Sequence, residues 1–334
     1  MAAVVLTAEA PGPGPRFTSA SFLPERGLML ERLTASLPGR GSFDIVDDST
    51  RAGDDSFGNA AFSFGGAFLV PFANRVRGRP VAHGLIETEI AGKRVRLPAN
   101  WGGKAAGAER YAMHGLILDK PAEVIAQAPD RLRGVLRAGD FGVGWPSSTD
   151  LKFDFRLEPT RLTVEVAATN VGDERTPVGI GWHPYFHLPS GDRSQARLRV
   201  AAERRLEVDD YDAVLPTGRA LPVVGTPYDF AADGGRALGG VYLDDCFVDL
   251  RPNARDLVVI ADPAGGMTLT LSARAPVKAV QVYAPPDKAF VVAEPQFNWA
   301  NPFGPEWPEG TDTGMAWLEP GERVAYSVSL TLSD

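Results

Sequence analysis

Two histidines stand four residues apart in "GIGWHPYFHLPS", residues 179–190, within a 334-residue chain that has only four histidines. Such a pair suggests two metal ligands on one helical face, but zinc helices of that type require HExxH, with a glutamate after the first histidine. Here Pro184 follows His183 and pushes residue 183 out of helical backbone. On a strand, His183 and His187 would still share a face. A metal site would then need a third ligand, and no CxxC or HxH motif supplies one. No metal is expected. The plainer reading is two partly buried histidines hydrogen-bonded within a β core, and it is preferred for His187.

Other polar residues interrupt apolar runs far from this stretch. "FLVPFANRVRGRP" (68–80) ends an apolar strand in Asn74 and Arg75, and "RYAMHGLILDK" (110–120) sets His114 before a glycine. "VYLDDCFVDL" (241–250) holds Asp244 and Asp245 inside an apolar strand, and "AFVVAEPQFNWANPFG" (289–304) runs straight into Glu294. A carboxylate at the end of a buried strand is costly unless it is paired or used. Each residue has an ordinary explanation by itself: a surface ion pair for Arg75, a turn cap for either aspartate, a solvated strand end for Glu294. Their recurrence points to a site, and a carboxylate with a histidine is enough for general acid–base chemistry.

The elements that must position these residues are strands. "LKFDFRLE" (151–158) and "RLTVEVAATN" (161–170) alternate apolar with polar residues. "DLVVIAD" (256–262) and "MTLTLSA" (267–273) flank "PAGG", which reads as a hairpin turn. "KAVQVYAP", "KAFVVAEP" and "VAYSVSLTLSD" continue the series. In "PERGLMLERLTASLPG" (24–39) helix and strand compete, and the Leu28/Leu30 alternation favours strand. Many short strands without interleaved helices indicate an all-β, antiparallel sandwich or barrel. The expected organisation is one domain over 17–334 behind a poorly ordered tail at 1–16, with 49–59 an exposed loop.

Bulk properties agree. Glycine (36) and proline (28) punctuate the chain too often for long helices. A net charge of −8 excludes a nucleic-acid backbone as main partner. No run of about 18 apolar residues would span a membrane, and the N-terminus lacks the basic region of a signal peptide. Cys246 is the only cysteine, so no intrachain disulfide is possible. The default expectation is a cytoplasmic protein, monomer or homodimer.

The motifs "NR" (74–75), "HG" (114–115), "HPYF" (183–186), "DDCF" (244–247), "QVY" (281–283) and "AEPQ" (293–296) occur in the order found in the aldose 1-epimerase (galactose mutarotase) family, which the chain resembles from about Gly65 to its end. "PAN" (98–100), "LPTG" (215–218), "TPYDF" (226–230) and "DTGM" (312–315) extend the likeness. The resemblance implies a β-supersandwich that binds a small-molecule sugar in an open cleft and needs no cofactor. It implies Glu294 as catalytic base and His183 as catalytic acid. Arg75, His114, Asp244 and Gln281 fall at sugar-contacting positions, with Asn74 and Tyr185 close by. The implied reaction is interconversion of the α and β anomers of a free aldohexose. Alternatives are an epimerase of a phosphorylated hexose, with Arg77 and Arg79 reading the phosphate, or a non-catalytic carbohydrate-binding module on the same fold.

The chain departs from the family pattern in three places. Asp244-Asp245 stands where Asp-His is usual, and the register with Phe247 favours Asp244 as the residue facing the sugar. His187 replaces the usual Asn after HPYF, and Leu116 follows His114-Gly115 where HGG is common. Trp182 and Trp299 are candidates for stacking on a sugar's apolar face.

Overall fold

In the computed structural model the alternating stretches become strands almost where the alternation runs. Thr149–Glu158 and Arg161–Asn170 pair in register from end to end, with the apolar residues buried. Val258–Asp262 and Met267–Ala273 form the expected hairpin around a one-turn 3-10 segment, Pro263–Gly265. The structure describes residues 2–9, 12–53, 55–232, 234–251 and 256–334. Among these there is no α-helix, only four short 3-10 segments, and no helix is long and apolar enough to cross a membrane.

Two large antiparallel sheets carry most of the strands, one of eleven strands and one of nine. They pack face to face through one hydrophobic cluster. Phe155 of the nine-stranded sheet stacks on Phe22 at 4.6 Å and on Phe68 at 5.3 Å, both from the eleven-stranded sheet. Burying each such ring contributes on the order of 1.5–3 kcal/mol. In the eleven-stranded sheet, Gly66–Leu69, Gly181–His187, Phe290–Gln296, Ala279–Ala284 and Leu243–Leu250 are consecutive neighbours. Of the candidate residues, His183, Tyr185, Glu294, Gln281 and Asp244 lie on the last four of these.

The N-terminal reading needs correction. Positions 1, 10 and 11 lie outside the described residues, but Val4–Thr7 is not a loose tail. It pairs with Arg16–Leu23 as the edge strand of the large sheet, with Leu6 fully buried. The apolar pair Val4 and Leu6 supplies the buried face that a two-strand edge requires. Residues 24–39 resolve as favoured: a 3-10 turn at Pro24–Arg26, then the strand Met29–Leu37. The 49–59 stretch, of which residue 54 is outside the described set, is irregular until a 3-10 segment begins at Ser56.

Candidate active site

Register builds the site. Gln281 pairs with Glu294, and Cys246 pairs with Gln281. Gly181 opposite Gln296 and Tyr185 opposite Val292 bring His183 level with Glu294. Directly paired residues point to the same side of a sheet, so His183, Glu294, Gln281 and Cys246 form one row across four strands. The next row on that face, two residues along each strand, holds Tyr185, Val292, Tyr283 and Asp244. The opposite face carries Trp182, Phe186, Val282 and Phe247 into the core.

Asn74, Arg75 and His114 come from the connections above this face. Arg75 sits in a two-residue strand opposite Met113, and the His114 amide donates to the Asn74 carbonyl at 2.9 Å. Asn74 (φ 60) and His114 (φ 62) both hold the left-handed backbone that non-glycine residues adopt only when the surroundings enforce it. Gly115 makes the His114 turn possible, because a Cβ there would stand 2.5 Å from the Val70 carbonyl oxygen. Leu116 then donates back to that oxygen at 2.7 Å.

Four side chains close into a ring. Asn74 Nδ2 donates to Gln281 Oε1 (2.8 Å), and Gln281 Nε2 donates to Asp244 Oδ1 (2.6 Å). Arg75 Nη2 donates to Asp244 Oδ2 (3.4 Å) and Nη1 to Asn74 Oδ1 (3.0 Å). Beside the ring, His183 Nε2 lies 3.4 Å from Glu294 Oε1, and the His114 and His183 rings meet edge-on at 4.7 Å. Tyr185 packs on His183 at 5.3 Å and donates its hydroxyl to the Phe62 carbonyl. Every one of the eight residues singled out in the sequence is thus in one cluster, and all are buried except Asp244, which is partly exposed.

Burial dominates the electrostatics. It pushes the Glu294 carboxyl well above the usual range, helped by the nearby Asp244 and opposed by Arg75. It lowers His183 to about 4, with Arg75 adding to the effect. It lowers His114 well below the ordinary histidine value, with His183 and Arg75 contributing. Asp244 is also raised by burial, against the pull of Arg75 and Gln281. Burial thus favours the neutral form of both groups when no sugar is bound. Glu294 Oε2, His183 Nδ1 and His114 Nδ1 make no hydrogen bond within the protein. Groups so placed can exchange protons with a ligand.

The sequence model for aldose 1-epimerase matches residues 43–331. The chain belongs to the aldose 1-epimerase family. Solved structures agree with the fold. A galactose mutarotase-like protein from Clostridium acetobutylicum superposes with a TM-score of 0.73 at 18% identity, covering 96% of this chain and 94% of the other. A GalM/aldose epimerase homologue from C. elegans gives 0.72 at 21% identity, covering 99% of each. Galactose 1-epimerase from Lactobacillus acidophilus gives 0.64 at 18%, covering 99% of this chain and 98% of that one. The uncharacterized protein YphB of Escherichia coli K12 is 49% identical over 43 residues, a stretch that spans 13% of this chain and 15% of that protein. Family membership supports a general epimerase or mutarotase function.

Within this epimerase-family site, the two aspartates divide by face. Asp244 joins the ring, whereas Asp245 points to the other side and is fully buried. There it accepts from Arg205 (2.8 Å) and Tyr211 (2.9 Å). His187 lies outside the cluster, 3.2 Å from Asp47 and against Phe290. The metal question takes a different form from the one the His183–His187 spacing raised. Ligand atoms of His114, His183 and Glu294 all lie within 4.8 Å of one another, so a cation here would draw on His183 and two distant residues, and not on His187.

Trp182 does not fit a stacking role, since it is completely buried and donates to the Gly66 carbonyl at 3.2 Å. Its place one residue from His183 already fixed it to the opposite face. Trp299 packs edge-on against Trp307 at 5.2 Å. Arg77 is held by both carboxylate oxygens of Glu109 (2.7 and 2.6 Å), and Arg79 pairs with Glu87 at 2.8 Å. Several neighbours went unnoticed in the sequence. Tyr283 shares a row with Asp244 and could have been found by parity with Gln281. Phe62, 5.4 Å from the His114 ring, ends the 3-10 segment Ser56–Phe62 and carries no periodic signal.

Proposed function

We propose that this protein is a mutarotase, interconverting the α and β anomers of a free aldohexose such as glucose or galactose. The reading is carried by the buried Glu294–His183 pair, 3.4 Å apart, beside the Asn74–Arg75–Asp244–Gln281 ring. Anomers exchange by opening the hemiacetal. Glu294 takes the proton of the C1 hydroxyl while His183 protonates the ring oxygen. The C1–C2 bond rotates, the ring recloses on the other face of C1, and the two groups reverse roles.

The pair suits this cycle because two of its states hold the same number of protons. Carboxylate with imidazolium is the state that opens the ring; carboxylic acid with neutral imidazole is the state that matches the open chain. Burial disfavours the charged state, so passing a proton through the sugar discharges an expensive ion pair as the ring opens. Each positioned group contributes ~10²–10⁴-fold. Arg75 and Asp244 hold sugar hydroxyls by charge-assisted hydrogen bonds. A neutral His114 offers one donor and one acceptor, with Asn74, Gln281 and Tyr185 completing the contacts. The electron count does not change and no group is transferred, so the reaction calls for no cofactor.

The engagement of Arg77 and Arg79 by glutamates favours a free sugar over a phosphorylated one. Polarimetry of freshly dissolved α-D-glucose, α-D-galactose and α-D-glucose 6-phosphate tests the reading. Acceleration over buffer is expected for one or both free hexoses. Exclusive acceleration of the phosphate ester would favour the phosphohexose alternative, and sugar binding without acceleration would favour the binding module.

A further inference from the structure

The turn that carries Asn74 and Arg75 is gripped from both ends by two buried asparagines. Asn298 accepts from the Ala73 amide at Oδ1 (3.0 Å) and donates from Nδ2 to the Ala73 carbonyl (2.9 Å). It thereby satisfies both backbone groups of a buried residue that no strand partner serves. Asn301 donates its amide to the Arg75 carbonyl (2.7 Å) and accepts from the Arg77 amide at Oδ1 (2.8 Å). These bonds go to the backbone of the turn, whose side chains then enter the ring with Asp244 and Gln281.

The surrounding sequence is fitted to both asparagines. Gly179 leaves room for Asn298, because a Cβ there would stand 2.1 Å from its Oδ1. Asn301 holds a left-handed backbone (φ 47), which asparagine tolerates better than most residues. Its Nδ2 donates to Glu306 Oε1 (2.7 Å), and its carbonyl accepts from Trp307 Nε1 (2.8 Å). With both polar side-chain atoms engaged, the Asn301 amide group has one orientation. Both asparagines follow closely on Phe290–Gln296, the strand of Glu294, and Gln296 Nε2 donates to the Asn298 carbonyl (2.7 Å). One continuous segment thus places Glu294 and, through the turn, Arg75. The grip matters because Arg75 Nη2 reaches Asp244 at 3.4 Å, a contact that a small backbone shift opens.

We infer that Asn301 is a positioning residue for Arg75, setting the affinity of the site for sugar without taking part in proton transfer. The proposal rests on the mutarotase reading. Arg75 would hold hydroxyls in the closed ring and the open chain alike, so a displaced Arg75 costs uniform binding and shows in KM, not in kcat.

The test measures kcat and KM by polarimetry with the hexose that the wild type accelerates most, with circular dichroism to confirm that each variant is folded. In Asn301→Gly, glycine takes the left-handed backbone without strain and keeps the amide that bonds Arg75, so only the side chain is lost. KM should rise about tenfold, the scale of one lost hydrogen bond to a charged group, with kcat within about threefold of wild type. Asn301→Asp keeps an acceptor for the Arg77 amide but sets a second carboxylate against Glu306, and should raise KM to a similar extent. Adding Glu306→Gln returns an amide donor to that contact and should restore most of the wild-type affinity. If Asn301→Gly folds with KM within about twofold of wild type, or loses kcat at unchanged KM, the proposal is overturned. It is also overturned if the folded double variant keeps the KM of Asn301→Asp. Each of these results leaves the mutarotase reading intact, because the wild type still turns over. Failure of the wild type to anomerise any sugar would overturn both.

Discussion

Removing the charge of Asp244 should damage the fold more than removing its partner Arg75. Arg75 is 5% exposed, its Nε makes no hydrogen bond within the protein, and among the described residues its ion-pair partner is Asp244. A guanidinium cannot shed its proton, so Asp244→Asn leaves a buried cation uncompensated. Breaking a buried pair from one side costs about 3–5 kcal/mol. The lower figure applies here, because Glu294 also faces Arg75 and ionises more readily once Asp244 is neutral. Arg75→Met leaves an aspartate that can protonate and that keeps the Gln281 hydrogen bond, so its cost is about 1–2 kcal/mol. An unfolding entropy of about 2.1 cal/mol/K per residue, over 334 residues, converts these costs to Tm losses of about 4 °C and about 1–3 °C. Differential scanning calorimetry at neutral pH reads both. The reasoning is refuted if Arg75→Met falls further than Asp244→Asn, or if Asp244→Asn stays within 1 °C of wild type. Besides any role in holding sugar, the closed ring makes the stability cost at Asp244 substantial.

The two proposed proton carriers should give opposite pH dependences of stability. The folded-state pKa of His183 is depressed to about 4 by burial, so its contribution is present above the unfolded value and lost as pH falls through about 4; His183→Asn should flatten that acid loss in thermal melts. The pKa of Glu294 is raised by burial, so its contribution is present below the unfolded value and lost as pH rises; Glu294→Gln should be stabilised relative to wild type at alkaline pH, and a gain at acid pH instead would reverse the assignment. His187→Asn should keep most of the activity, since His187 pairs with Asp47 outside the cluster; a loss matching that of His183→Asn would reinstate the HPYFH histidines as one unit. Dialysis against a chelator should leave the anomerisation rate unchanged, and a loss restored by zinc would assign His114, His183 and Glu294 as its ligands.

Period-two alternation made the strands legible because a half-buried strand must write its two faces into the sequence. Arg161–Asn170 and Met267–Ala273 were readable to the residue. The same parity separated Asp244 from Asp245 through Phe247, and it could have excluded Trp182 from the cleft. What alternation cannot carry is the placement of residues whose position depends on backbone outside the strands. Asn74 and His114 reach the site through left-handed turns. Only the glycine at 115 hinted at one of them. Phe62 ends a 3-10 segment, Ser56–Phe62, that Asn59 ties to the distant Asn100 by hydrogen bonds, and no local pattern encodes such contacts. The edge strand Val4–Thr7 was hidden because four residues are too few for periodicity to stand out.

The acid–base pair is most directly tested by the initial rate of optical-rotation change in fresh α-D-glucose or α-D-galactose with wild type, Glu294→Gln, His183→Asn and the double variant. The wild type should accelerate mutarotation, and each single variant should lose at least ~10²-fold with an unchanged circular dichroism spectrum. The double variant should lose far less than the product of the single losses, because groups acting as one unit are not additive. Either single variant retaining the wild-type rate, or losses that multiply in the double variant, would contradict a shared proton cycle between Glu294 and His183.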